Sequence, residues 1–169
     1  MCLCYRLNLP DGNFSIIATF LNEIGLPVAL GEIGSPTFLP GIHAASGILH
    51  VDRAKLEWPG DLLHEAGHLA LLSPEERLTV DGNVGDDGGD EMGAIAWSYA
   101  AALHLGLDPS VVFHSGGYHG GSTDILANFA AGRYLGVPIL QWRELCLDAG
   151  RAQAEGLDPY PHMLRWLRT

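Results

Sequence analysis

The residues with the clearest chemistry are His64, Glu65 and His68, which form an H-E-x-x-H pattern within the apolar run Leu62-Leu63-His64-Glu65-Ala66-Gly67-His68-Leu69-Ala70. On a helix advancing about 100° per residue, His64 and His68 lie one turn apart on one face, so both imidazoles can reach the same tetrahedral Zn2+. Glu65 sits beside that pair. Its carboxylate is placed to take a proton from a water activated by the metal, the general-base role in metal-assisted hydrolysis. Leu62, Ala66, Leu69 and Ala70 recur at i, i+3/i+4 and i+7, and after Asp61 only Glu65 carries a carboxylate, as a buried helix requires.

With this motif the chain resembles the zincin metallopeptidases, and more narrowly the small gluzincins, whose third metal ligand is a Glu on the following helix. The resemblance implies that Glu91 is that ligand, since it follows His68 at a suitable distance and opens a run that continues Met92-Gly93-Ala94-Ile95-Ala96-Trp97-Ser98-Tyr99-Ala100. A carboxylate in the first turn of a helix is also favoured by the dipole. Asp86, Asp87 and Asp90 stand close by, and spacing alone does not choose among the four. Glu91 is favoured because an apolar helix can hold its carboxylate rigidly, whereas fixing Asp86 or Asp87 among glycines costs backbone entropy. Asp90 points about 100° away around the helix and fits as its cap. The alternative zincin pattern H-E-x-x-H-x-x-G-x-x-H is not met, because Leu71 holds the Gly position and Pro74 the third His.

These residues sit in a chain of 169 residues with 47% hydrophobic content, which reads as one globular domain over 1–169. A net charge of −11 with nine Lys and Arg argues against nucleic acid or an anionic membrane surface as partner. The N-terminal Met1-Cys2-Leu3-Cys4-Tyr5-Arg6 has no apolar signal region, and the longest apolar stretch, 94–107, is interrupted and short for a bilayer. A cytoplasmic location is the resulting expectation. Three cysteines cannot all pair, Cys2-x-Cys4 lacks zinc or redox spacing, and Cys146 reads as a thiol on a core face.

The elements that must position the motif can be taken in order. Asp11 or Asn13 caps a first helix through Phe14, Ile17, Leu21 and Ile24, stopped by Gly25 and Pro27. Three short segments rich in β-formers follow at 28–33, 37–42 and 47–52. They predict a small sheet before the motif helix, with His43 and His50 as structural or surface residues. In gluzincins the outer strand of such a sheet lines the cleft and pairs with an extended substrate. Pro59-Gly60-Asp61 opens the motif helix and Ser73-Pro74 ends it. Residues 81–90 read as a solvated loop whose order departs from an EF-hand.

The Ala-rich Glu91 helix runs to Leu105 and Gly106, its small side chains permitting close packing on the motif helix. Asp108-Pro109 starts a short helix through Val111, Val112 and Phe113. The glycine-rich segment after it carries His114, Tyr118 and His119, a loop with polar tips of the kind that often bears function. By analogy with larger gluzincins, Tyr118, His119 or His114 could stabilise an oxyanion. Helices are predicted over 123–135, 138–147 and 161–167, with Asp124 and Asn128 on one face. Larger gluzincins place an acidic residue four after the ligand Glu to orient a motif histidine, and here that position is Ile95. Support for the ligands must then come from elsewhere, or the metal is held more weakly.

The resulting expectation is an α+β, zincin-like fold: a small N-terminal sheet packed on the active-site helix, then a helical C-terminal part. Its function would be that of a zinc-dependent hydrolase, a metallopeptidase acting on a peptide or protein substrate. His64, His68 and Glu91 would hold the metal, Glu65 would act as base, and Tyr118 and His119 are the further catalytic candidates. The alternative is a non-catalytic binding or regulatory domain stabilised by the metal, for which a fourth protein ligand such as His114 or His119 would be the mark. Oligomeric state is not legible.

Overall fold

The computed structural model describes residues 11–82, 84 and 88–169, without the side chains of Asp11 and His119. Helix α1 spans Asp11–Glu23, strand β1 Val28–Leu30, β2 Ile42–Ala45 and β3 Ile48–Val51. Helix α2 covers Asp61–Leu71, α3 Pro74–Thr79, β4 Asp81–Gly82 and α4 Gly88–His104. After two 3-10 turns at Pro109–Val111 and Tyr118–Gly120 come α5 Ser122–Ala130, α6 Val137–Trp142 and α7 Ala149–Glu155. The architecture is α+β.

Phe14, Ile17 and Leu21 bury the inner face of α1, which ends where Gly25 takes φ +93°. The sheet has the order β1-β3-β2-β4, with β1 parallel to β3 and β2 antiparallel to both neighbours. Period-two alternation works as it should: Ile42, Ala44, Leu49 and Val51 are buried, while His43 and His50 pair across β2 and β3 on the other face.

The strand expected at 37–42 is not formed, and Ile42–Ala45 takes its place. Pro36 and Pro40 supply no ladder donors, and Gly41 turns at φ +77° so tightly that a Cβ there would meet the Leu56 amide nitrogen at 2.5 Å. The loop expected at 81–90 is shorter than supposed, because Asp81 and Gly82 pair with Ala45 and Ala44 and α4 already begins at Gly88. Asp90 therefore lies within the first turn of α4, 3.8 Å from the Arg143 guanidinium, and does not cap it from outside. Ser73 ends α2 as expected but also starts α3 through a capping box with Glu76.

The core is built on the packing of α4 along α2. Gly67 is the point of closest approach, where a Cβ would lie 2.9 Å from the Ala94 carbonyl oxygen. Ala96, Ala100, Ala101 and Ala102 are buried along the same helix, which is the close packing its small side chains suggested. The predicted helices at 123–135 and 138–147 are present in shortened form as α5 and α6, whereas 161–167 is not helical. That stretch lies against Phe20 and Trp97, with the Trp97 indole N–H donating to the Trp166 carbonyl at 2.9 Å. Among the described residues no helix is long and apolar enough to cross a membrane.

Candidate metal centre

Helix α2 carries the motif and is buried along nearly its whole length. Its start is clamped by the turn at Pro109–Val111: a Cβ on Gly60 would meet the Val111 carbonyl oxygen at 1.9 Å, so only glycine allows the approach. From this fixed helix His64 and His68 project together, their Nε2 atoms 3.2 Å apart and their rings edge to face. Helix α4 brings the Glu91 carboxylate to them, with Oε2 3.1 Å from Nε2 of His68 and 3.6 Å from Nε2 of His64. The imidazoles of His64 and His68 hold this carboxyl far below the usual range.

The donor set fits a divalent metal of zinc size. Tetrahedral bonds of about 2.0 to 2.1 Å imply ligand-to-ligand separations of about 3.3 Å, which the three distances bracket. His64, His68 and Glu91 are also the group of potential ligands whose donor atoms converge among the described residues. Among the described residues, these two imidazole nitrogens and one carboxylate oxygen would leave a fourth position on a tetrahedral metal for water or substrate.

Glu65 is 9% exposed and has no hydrogen-bond partner among the described residues. Burial raises its pKa, against the opposing pull of His68 and His64. It borders two cavities. One, of about 650 Å³, contains His64, His68, Glu91 and Tyr118; the other, of about 250 Å³, lies under the sheet between Ile42, Ala44 and the segment of Thr37, Phe38 and Leu39.

Tyr118 reaches the centre from behind, its hydroxyl 3.1 Å from Nδ1 of His64. That nitrogen is the one away from Glu91, so the Tyr118 hydroxyl meets His64 on the side opposite the other potential ligands. Tyr118 adopts φ +53°, a costly backbone for a non-glycine residue, with its ring packed on His64 and Phe113. His119 lies in the same turn, and its side chain is outside the described residues. Nδ1 of His68 is buried and has no hydrogen-bond partner among the described residues.

His114 is not brought to the triad. Its Nε2 lies 2.8 Å from Oδ1 of Asp61, its ring stacks on Trp58 at 4.2 Å, and its carbonyl accepts from the Ser122 hydroxyl at 2.6 Å. Sequence reasoning missed the Asp61 to His114 pair, although Asp61 stands one helical turn before Glu65 and therefore on its face. Of the other candidates, Asn128 accepts from Arg133, Asp124 is exposed, His43 pairs with Asp81 and Ile95 is buried in the core. Asp86, Asp87, Cys2 and Cys4 lie outside the described residues. Compared with protein-family models, curated proteins and solved structures, the chain matches none.

Proposed function

We propose that the protein is a zinc-dependent hydrolase of amide bonds, most simply a metallopeptidase of gluzincin type. The observation that carries this reading is the convergence of His64, His68 and Glu91 at tetrahedral spacing, with an unpartnered Glu65 carboxylate at the same cleft. Bound there, zinc supplies a Lewis acid that polarises the scissile carbonyl and acidifies a water.

The residues divide the remaining work. His64 and His68 present Nε2 lone pairs, and Tyr118 keeps His64 in that tautomer by accepting its Nδ1–H. Glu65 removes a proton from water as its oxygen attacks the carbonyl carbon. It then delivers that proton to the amide nitrogen as the C–N bond breaks, leaving a carboxylic acid and an amine. The burial that raises the Glu65 pKa suits both halves, since a stronger base is needed first and a proton donor afterwards. A structural metal domain would close its site with a fourth protein ligand such as His114 or His119; His114 is occupied by Asp61, and the His119 side chain lies outside the described residues.

Glu65→Gln tests the reading. The variant should keep one zinc per chain and lose hydrolysis of a casein or mixed-peptide substrate by a factor of about 10³ or more, because the base is removed while the ligands stay. Hydrolysis at the wild-type rate would move the chemistry off this residue.

A further inference from the structure

The cleft in front of the triad is acidic beyond what a metal site needs. Glu57, Asp61, Glu65 and Glu91 line it, and among the described residues no lysine or arginine does. A divalent ion would balance Glu91, and Glu65 is the proposed base. Among the described residues Glu57 then has no ion-pair partner, and Asp61 meets only His114.

Asp61 is the more telling of the two. It is 6% exposed, and only its Oδ1 is engaged, by His114. The other ring nitrogen of His114, Nδ1, is taken up by the Gly116 N–H at 3.2 Å, so His114 meets Asp61 through Nε2 alone. Oδ2 of Asp61 has no partner among the described residues, so a buried carboxyl group bordering the cleft is left with half its hydrogen-bonding capacity unused. Burial raises its pKa, which a cationic partner would reverse. Nearby stand the aromatic rings of Trp58, stacked on His114, and Phe38, 82% exposed, which border the same cleft and offer π-faces to a cation.

We infer that the cleft selects a substrate with a positive charge beside the scissile bond, an ammonium or guanidinium group seated between Asp61, Glu57 and the Trp58 ring. Charge of one sign focused in a cleft with low-dielectric walls raises the local concentration of an oppositely charged ligand and opposes anionic ones. The inference rests on the metal-site reading, because the bond to be cleaved must lie at the triad. Two sources of the cation share this chemistry: a lysine or arginine side chain and a free amino terminus.

The test is binding of four hydroxamates to the zinc-loaded full chain, followed by calorimetry. Acetyl-norleucine hydroxamate is the neutral reference, acetyl-arginine hydroxamate carries a side-chain cation, norleucine hydroxamate a free ammonium, and acetyl-glutamate hydroxamate an anion. At least one cationic probe should bind tenfold or more tightly than the reference, and which one does so identifies the source. The glutamate probe should bind more weakly than the reference, and raising the salt should shrink both differences. Glu57→Gln, at an exposed position, and Asp61→Asn should each reduce the cationic preference at least threefold. Equal binding of reference and cationic probes, or a preference unchanged in Glu57→Gln and Asp61→Asn, overturns the inference and leaves the metal site standing. If the protein takes up no zinc or binds no hydroxamate at all, the metal-site reading fails and takes this inference with it.

Discussion

The Tyr118 hydroxyl and Nδ1 of His64 lie 3.1 Å apart, on the side of the imidazole opposite to Glu91. Burial, and then the carboxylates of Glu91, Asp61 and Glu65, push the phenol well above its ordinary pKa, so it stays a neutral partner. In the proposed metal site this contact gives a ligand histidine the support that Ile95 cannot provide. Tyr118→Phe should therefore weaken zinc binding about 10-fold to 100-fold in a chelator competition, the usual effect of losing such a partner. Unchanged zinc affinity with a large fall in turnover would return Tyr118 to an oxyanion role.

Gly67 sets how closely α4 can approach α2, and hence where Glu91 stands. Gly67→Ala puts a methyl carbon against the Ala94 carbonyl and forces the helices apart. We expect a loss of about 1 to 3 kcal/mol in denaturant unfolding together with weaker zinc binding, as overpacking at a tight contact does. A variant as stable as wild type with full zinc affinity would show that the helices tolerate the separation.

The motif helix and its partner were legible because each signal was local. The H-E-x-x-H period, the Pro-Gly-Asp start and the Ala-rich run after Glu91 all act within a turn or two of helix. What escaped depends on contacts far apart in the chain. The Asp61 to His114 pair joins residues that no spacing rule connects, and β4 exists only because Asp81 and Gly82 meet Ala45 and Ala44. Strand β2, Ile42–Ala45, hides because two of its four residues are alanine, whereas Thr37, Phe38 and Leu39 make the preceding stretch look like the better strand although Pro36, Pro40 and Gly41 prevent it. Helix α7, capped by Asp148, was passed over because its Ala, Gly and polar residues bury only Ala152. Residues 161–167 have helical-looking periodicity, but Trp166 packs on Phe20 and Trp97 instead.

Asp52 ties the segment after β1 to the turn after β3. Its carboxylate accepts the Ile33 and Ala54 N–H groups and lies 3.2 Å from Lys55 Nζ, and the Ile33 amide first of all holds its pKa below the usual carboxylate range. A carboxyl lowered on folding contributes stability that is present above its unfolded pKa and is lost as pH falls through the folded value. Asp52→Asn should thus melt at a lower temperature than wild type at pH 7, with the gap closing below about pH 4. A constant gap across that range would mean the charge contributes nothing.

Cys146 is buried and its thiol is pushed up to about 12, chiefly by burial. In native protein at pH 8 it should resist a maleimide for hours, because the thiolate is the reactive form, and label at once in denaturant. Peptide mapping separates it from Cys2 and Cys4. Rapid native labelling at Cys146 would contradict the packing around it.

The central claim is that His64, His68 and Glu91 together hold one divalent metal and leave a position free. The most direct measurement is a crystal structure of zinc-loaded protein with diffraction recorded on both sides of the zinc absorption edge. We expect one anomalous peak about 2.0 to 2.2 Å from Nε2 of His64, Nε2 of His68 and a Glu91 carboxylate oxygen, with a non-protein ligand in fourth place. A peak held by Asp90 or a loop histidine with Glu91 turned to solvent, or no peak between the two motif imidazoles, would contradict it.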